Sequence, residues 1–402
     1  MKKILILLML VFITSCGKNV NSKVYMDDLS TKSIDSIREY CDSLGISVTF
    51  EEEYSNSSKG TFISQSISPG DEVGDVVVKI SKGVDPNLYI ENHVNELGRV
   101  PIMMYHGIHN VDAKYVGGNV DKDGYQRTAS AFRNDLEFYY SSGYRMVRLI
   151  DYVNGIIDVP IGKSPIVLTF DDGLENNIKV IGLDDNGDII IDPNSAVGIL
   201  EEFKSKYPDF NVTATFFVNG GLFNQEEYNE KILNWLIDHG YDVGNHSYSH
   251  VDFSKIDNGE SIYEIGSVYK MLDSILGDKY VNIVALPFGS PYKKSHSNFS
   301  SIMSGSYEGF DYNTISALRV GWEADYSPFF KDFDKSFLKR IRAYDNDGVN
   351  FDISMNFKLL ESIRYISDGD KNLIVFPKEK MDMFNNFNLE YFSYWLFYFF
   401  SL

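Results

Sequence analysis

Ile166-Val-Leu-Thr-Phe-Asp-Asp-Gly173 is a short apolar run that ends abruptly in two carboxylates and a glycine. It reads as a buried parallel strand, and α/β sheets place their chemistry at the carboxyl ends of such strands. Consecutive residues leaving a strand point in different directions, so one aspartate can hold a metal while its neighbour stays free. A second apolar strand is expected at Thr213-Ala-Thr-Phe-Phe-Val218, followed by Gly244-Asn-His-Ser-Tyr-Ser-His250 with two imidazoles four residues apart. On a helical turn that spacing sets both rings on one face, where they can pinch one ion. A carboxylate with two histidines leaves coordination positions open, as a catalytic ion requires. Alone, Asp-Asp-Gly is a turn and His-x-x-x-His is a pair of surface histidines. Together, each after a strand-like segment, they point to a site.

Thr169-Phe-Asp-Asp-Gly173, Ala214-Thr-Phe-Phe-Val218 and His246-Ser-Tyr-Ser-His250 resemble the polysaccharide deacetylases of the NodB-homology (carbohydrate esterase 4) family. The resemblance is good over about residues 100–300. It implies a distorted (β/α) barrel, a substrate of N-acetylated amino sugars in a polysaccharide, and a divalent ion on Asp172, His246 and His250. Zinc is the first expectation, with cobalt or nickel as alternatives. Asp171 would take a proton from the attacking water. Pro287-Phe-Gly289 matches a third motif, in which the Phe288 backbone N–H would face the oxyanion. Two departures stand out: Ala285 occupies the position of an arginine that orients the catalytic aspartate in many members, and no histidine follows His296. The usual late-strand acid is therefore missing. His106, closing the expected strand Val100-Pro-Ile-Met-Met-Tyr-His106, can replace it, because a closed barrel sets first and last strands side by side. That placement looks like a circularly permuted branch of the family. The alternative is a buried, hydrogen-bonded ring.

Upstream, Met1-Lys-Lys precedes an apolar run, Ile4 to Ile13, too short to span a bilayer as a mature helix. Ile13-Thr-Ser-Cys16 looks like a lipoprotein signal, with residues 1–15 removed, Cys16 lipidated and 16–23 a tether. The expected location is then extracytoplasmic, on a bacterial membrane and facing the wall. Only one other cysteine is present, Cys41, so no disulfide framework exists. The net charge of −20 argues against a nucleic-acid partner.

Residues 24–83 read as a small α+β unit. Ser33 caps a helix that Gly45 stops, and strands follow at Ile46–Glu53, Thr61–Ile67 and Val76–Ser81. Lys59-Gly-Thr-Phe-Ile-Ser-Gln-Ser66, Ser68-Pro-Gly70 and Ser81-Lys-Gly83 resemble a PASTA domain, which implies either peptidoglycan binding or a spacer. Residues 84–99 read as linker, 100–380 as the catalytic barrel, and 381–402 as an apolar tail that packs on the barrel or touches the membrane. Ile178–Ile191 is expected to be an inserted hairpin. Trp322 is a candidate wall for a sugar ring, or ordinary core. Three activities share these residues: N-deacetylation, O-acetyl ester hydrolysis, and silent glycan binding that uses the same cleft.

Overall fold

The computed structural model describes residues 23–55, 57, 59–111 and 118–385, and the backbone of a strand at 396–400. The expected signal peptide and Cys16 lie outside the described residues. Two compact units are present, divided between Leu88 and Tyr89.

In the first unit, helix α1 (Ile34–Leu44) begins at Ser33, whose hydroxyl accepts from the Ser36 N–H, and ends at Gly45 with φ 68°. The left-handed conformation there suits a residue without Cβ. Strand β1 (Val48–Glu53) pairs in parallel with β3 (Val76–Ser81), and β2 (Phe62–Gln65) joins β3 antiparallel. Ile37 and Cys41 from α1 pack on Val76, Val78 and Ile80, so Cys41 is a buried, unpaired thiol.

The second unit is a curled parallel sheet. Its strands are β4 (Ile102–Tyr105), β5 (Tyr144–Met146), β6 (Ser164–Phe170), β7 (Thr215–Val218), β8 (Asp242–Asn245), β9 (Ile283–Ala285), β10 (Ser316–Leu318), β11 (Phe337–Leu338) and β12 (Ile341–Arg342). The spatial order is β11-β10-β9-β8-β7-β6-β4-β12, with β5 also on β6. Thus β4 lies between the aspartate strand β6 and the late strand β12, as anticipated for His106. The two edge strands, β11 and β12, are separated only by Lys339 and Arg340. A single hexapeptide, Phe337–Arg342, thereby pairs with β10 by its first half and β4 by its second. That continuity rolls the sheet into a half-barrel.

Alternation along each strand sorts side chains into two layers. Ile102, Val167, Phe217, Ile283, Ala285, Leu318 and Leu338 fill the interior. Met103, Leu168, Phe216, Val243 and Ile341 face outward, under α2 (Ala129–Ser141), α3 (Ala196–Lys206), α4 (Asn229–Asp238) and α5 (Asn258–Leu276). Val180–Leu183 and Ile189–Ile191 form the expected inserted hairpin.

One reading changes. Residues 84–99 are not free linker: Pro86–Glu91 is helical and Glu96 is buried, so the compact unit starts at Tyr89 rather than Val100. The polar letters that suggested a linker are partly internal ligands. Glu96 accepts hydrogen bonds from the Tyr365 hydroxyl and from the Asp368 and Val375 N–H groups. In the tail, Leu396–Phe400 pairs in parallel with Leu373–Pro377. Among the described residues no helix is long and apolar enough to cross a membrane.

Burial, together with the neighbouring Asp368, pushes the Glu96 carboxyl well above its usual range; burial pushes Asp368 up to about 7. Both folded values exceed the unfolded ones, which lie near about 4, so the folded chain holds these protons more tightly. The stabilising effect of Asp368 is full below about pH 4 and is lost as pH rises through about 7, and that of Glu96 is likewise lost as pH rises through its raised value. Chemical denaturation at pH 5 and pH 8 should therefore show lower stability at pH 8. Asp368→Asn should reduce that difference, and an unchanged pH slope would contradict the assignment.

Candidate active site

The interior alternation continues past the strand ends into one mouth. Thr169 is followed in register by Asp171, Ile102 and Met104 by His106, and Leu338 by Arg340. The Asp171 N–H bonds to the Tyr105 carbonyl at 2.9 Å, which extends the β4–β6 ladder by one residue and aligns the two polar ends. Asp171 is 1% exposed and Arg340 is fully buried. Their side chains form a bidentate pair, Nη1–Oδ1 2.7 Å and Nη2–Oδ2 2.7 Å, with Arg340 Nη1 also 3.2 Å from Thr169 Oγ1. Burial alone would raise the Asp171 carboxyl, but the Arg340 guanidinium outweighs it and holds Asp171 well below the usual carboxylate range. The partner missing at Ala285 thus comes from the opposite seam of the barrel. It was missed because it stands in Leu338-Lys-Arg-Ile-Arg342, which reads as a solvated basic strand; the alternation of Leu338, Arg340 and Arg342 was the available signal.

His106 Nε2 lies 4.0 Å from Asp171 Oδ2. Its ring contacts Tyr125 edge-on at 5.1 Å, and its buried Nδ1 has no hydrogen-bond partner among the described residues. Burial lowers the imidazole pKa against the pull of Asp171 and Asp172. The alternative of a hydrogen-bonded structural ring does not describe it.

Asp172 leaves the strand with φ 76°, so its carboxylate turns away from Asp171's pocket. Gly173 follows at φ 58°, where a Cβ would stand 2.2 Å from the Leu222 carbonyl oxygen; only glycine fits. Asp172 Oδ1 is 3.1 Å from His246 Nε2 and 3.4 Å from His250 Nε2. One donor atom from each residue lies within 4.8 Å of the other two. The two contact distances match the roughly 3.3 Å between donors around one ion with ligand bonds of about 2.0–2.1 Å. His246 Nδ1 faces the Ala285 carbonyl at 2.8 Å, which fixes the tautomer with Nε2 toward Asp172. Residues and ion type fit.

The histidines do not converge through a helical turn. Residues 246–250 form an irregular loop with positive φ at Ser247 (62°) and His250 (55°). Three side chains hold it: Asn219 Nδ2 donates to the His246 and Ser247 carbonyls, Asn245 accepts from the Ser247 N–H, and buried Glu264 accepts from the Ser249 N–H at 2.7 Å. Sequence spacing located the rings correctly but for a conformational reason the chain does not use.

Pro287 is buried, while Phe288 sits at φ 58° and is 54% exposed, its ring edge-on to His250 at 4.7 Å. Trp322 is 55% exposed, so it is not core; it lies 6.4 Å from Phe351 and bridges to Ile341 beside the Arg340 seam. Exposed aromatic faces beside a polar site suit stacking on sugar rings.

Residues 158–301 match the family model for polysaccharide deacetylases, and residues 24–82 match that for the PASTA domain. No curated protein sequence matches the chain. Among solved structures it is similar to the Streptococcus pyogenes deacetylase PplD in complex with acetate, at 18% identity over 62% of this chain and 94% of that one, with a TM-score of 0.46. A de-N-acetylase from Aggregatibacter actinomycetemcomitans is similar at 12% identity, 65% and 99% coverage and a TM-score of 0.43. BA3943, a carbohydrate esterase 4 family pseudoenzyme from Bacillus anthracis, is similar at 28% identity, 23% and 30% coverage and a TM-score of 0.19. With TM-scores below 0.5, these likenesses add nothing to the sequence matches. His106, Trp322 and Arg340 lie outside the matched range. The chain carries a polysaccharide deacetylase domain, and a PASTA domain precedes it.

Proposed function

We propose that the protein is a metal-dependent hydrolase that removes N-acetyl groups from amino sugars of a cell-wall or extracellular polysaccharide. The observation that carries this reading is the adjacency of two differently built walls: the donor cluster Asp172, His246, His250, and the proton-handling pair Asp171 and His106, 4.0 Å apart. A bound divalent ion, zinc by donor type, would supply Lewis acidity toward the amide oxygen and the attacking water.

Arg340 keeps Asp171 ionised and fixes its orientation, so the carboxylate is ready to accept a proton from water. His106 stands beside that carboxylate, so a proton taken there can pass to the ring and on to the departing amine. The Phe288 backbone N–H is assigned to the oxyanion, and Trp322 to a face of the sugar. The products are acetate and a free amino sugar. Two departures favour silent binding, Ala285 and the lack of a histidine after His296; Arg340 pairs with Asp171 in place of the first, and His106 is assigned the role of the second. The reading extends to a lipid anchor on Cys16, with the PASTA domain contacting peptidoglycan.

Acetate release from N-acetylated oligosaccharides should stop on chelation, and His250→Ala or Asp172→Ala should lose bound metal measured by mass spectrometry. Retained metal in both variants would refute the ligand set. Asp171→Asn should keep the metal yet lose turnover.

Arg340→Met leaves a buried carboxylate without its cation and should destabilise the fold by about 3–5 kcal/mol. Adding Asp171→Asn to Arg340→Met should recover part of that loss in chemical denaturation. No recovery would mean that the pair is not the source.

His106→Ala should keep metal and fold but slow amide hydrolysis by about two orders of magnitude. The loss on p-nitrophenyl acetate, whose leaving group needs no proton, should be smaller. Equal losses on both substrates would remove His106 from the acid role.

A further inference from the structure

Arg342 is the next residue along the interior alternation after Arg340, because Ile341 and Ala343 both belong to the outward-facing core. Its register partner on β4 is Met104, two residues before His106. The guanidinium is therefore carried at the mouth, beside the proton-handling wall.

Its charge is not spent inside the protein. Among the described residues Arg340 serves Asp171, Arg127 serves Asp135 and Asp345, and Arg148 serves Asp242. Among the described residues Arg342 makes no ion pair, and its buried Nε has no hydrogen-bond partner. Its guanidinium carbon lies 5.5 Å from the centre of the Tyr344 ring. Arg319 also lacks a partner for Nε, but it lies over Phe337 on the outer side. A chain with 57 acidic against 37 basic residues has carboxylates in excess, yet none of the described residues pairs one with Arg342. The stem is also confined: Gly124, at φ 81°, approaches so closely that a Cβ there would stand 3.0 Å from Arg342 Cβ and 3.3 Å from its Cδ. A partly buried, pre-positioned guanidinium with open donors is built to receive a planar or tetrahedral oxyanion.

We propose that Arg342 binds an anionic substituent, a carboxylate or a phosphate, on the glycan entering the mouth. The inference deepens the deacetylase reading and rests on it: the substrate is an acidic polysaccharide rather than a neutral one.

The test is equilibrium binding by calorimetry to the full chain, with three probes of equal length. One is a neutral N-acetylglucosamine oligosaccharide, one carries a muramic-type lactyl carboxylate, and one carries a phosphate monoester. The wild type should bind at least one anionic probe more tightly than the neutral probe. Arg342→Gln should cut that preference by about tenfold or more, and Arg342→Lys, which keeps the charge without the fork, by less. The probe that loses most identifies the carboxylate or the phosphate as the source. No anionic preference in the wild type, or a preference unchanged in a folded Arg342→Gln protein with normal metal content, overturns the proposal. Acetate release from the neutral probe is read on the same samples. Its absence alongside an Arg342-dependent preference would refute the reaction and leave the anion site standing.

Discussion

The buried ion pair between Arg340 and Asp171 is the constraint on which the rest depends. An isolated carboxylate sealed inside a barrel is costly, and its ordinary escape is to take up a proton. Here a guanidinium meets both oxygens at 2.7 Å, so the carboxylate stays charged, as the proposed general base requires. Because Arg340 is part of the two-residue link between the edge strands, neutralising the aspartate and rolling the sheet are one structural event. Were the seam to open, Asp171 would lose its cation.

Sequence patterning carried most of the architecture. Ile166–Phe170 and Phe216–Val218 are buried strands because every side chain is apolar except Thr169, whose hydroxyl donates to the Met103 carbonyl, and Ser33 and Gly45 mark a helix through capping chemistry that acts over three residues. Such signals are local, and locality is what a single sequence records. The linker reading failed for the converse reason. Glu96 is polar and looks solvated, but its ligands sit more than 260 residues away, at Tyr365, Asp368 and Val375. Nothing in its own neighbourhood announces burial.

The histidine pair is the instructive intermediate case. Spacing alone placed both rings on one ion, and they do face one carboxylate oxygen. The helical turn invoked to bring them there does not form. Asn219, Asn245 and Glu264 instead hold a loop whose positive φ values at Ser247 and His250 cost local strain. Four residues of separation fix how far the rings can be apart, not which backbone joins them.

The two walls of the site differ in how they are encoded. The donor cluster comes from 172 to 250, inside the contiguous stretch that matches the deacetylase family, and the constraint on a metal site there is stringent: three donor atoms would have to meet one ion at bond length. The opposite wall comes from residue 106 on the first strand and residue 340 at the seam, both outside the match. In the proposed reaction a proton acceptor's cation and a proton donor need only reach the same rim of a rolled sheet, and any strand adjacent to β6 or to the seam can present them. The fold therefore fixes where these groups must stand without fixing where in the chain they come from. Ala285 illustrates the consequence: freed from carrying the arginine, it still contributes a backbone carbonyl that orients His246.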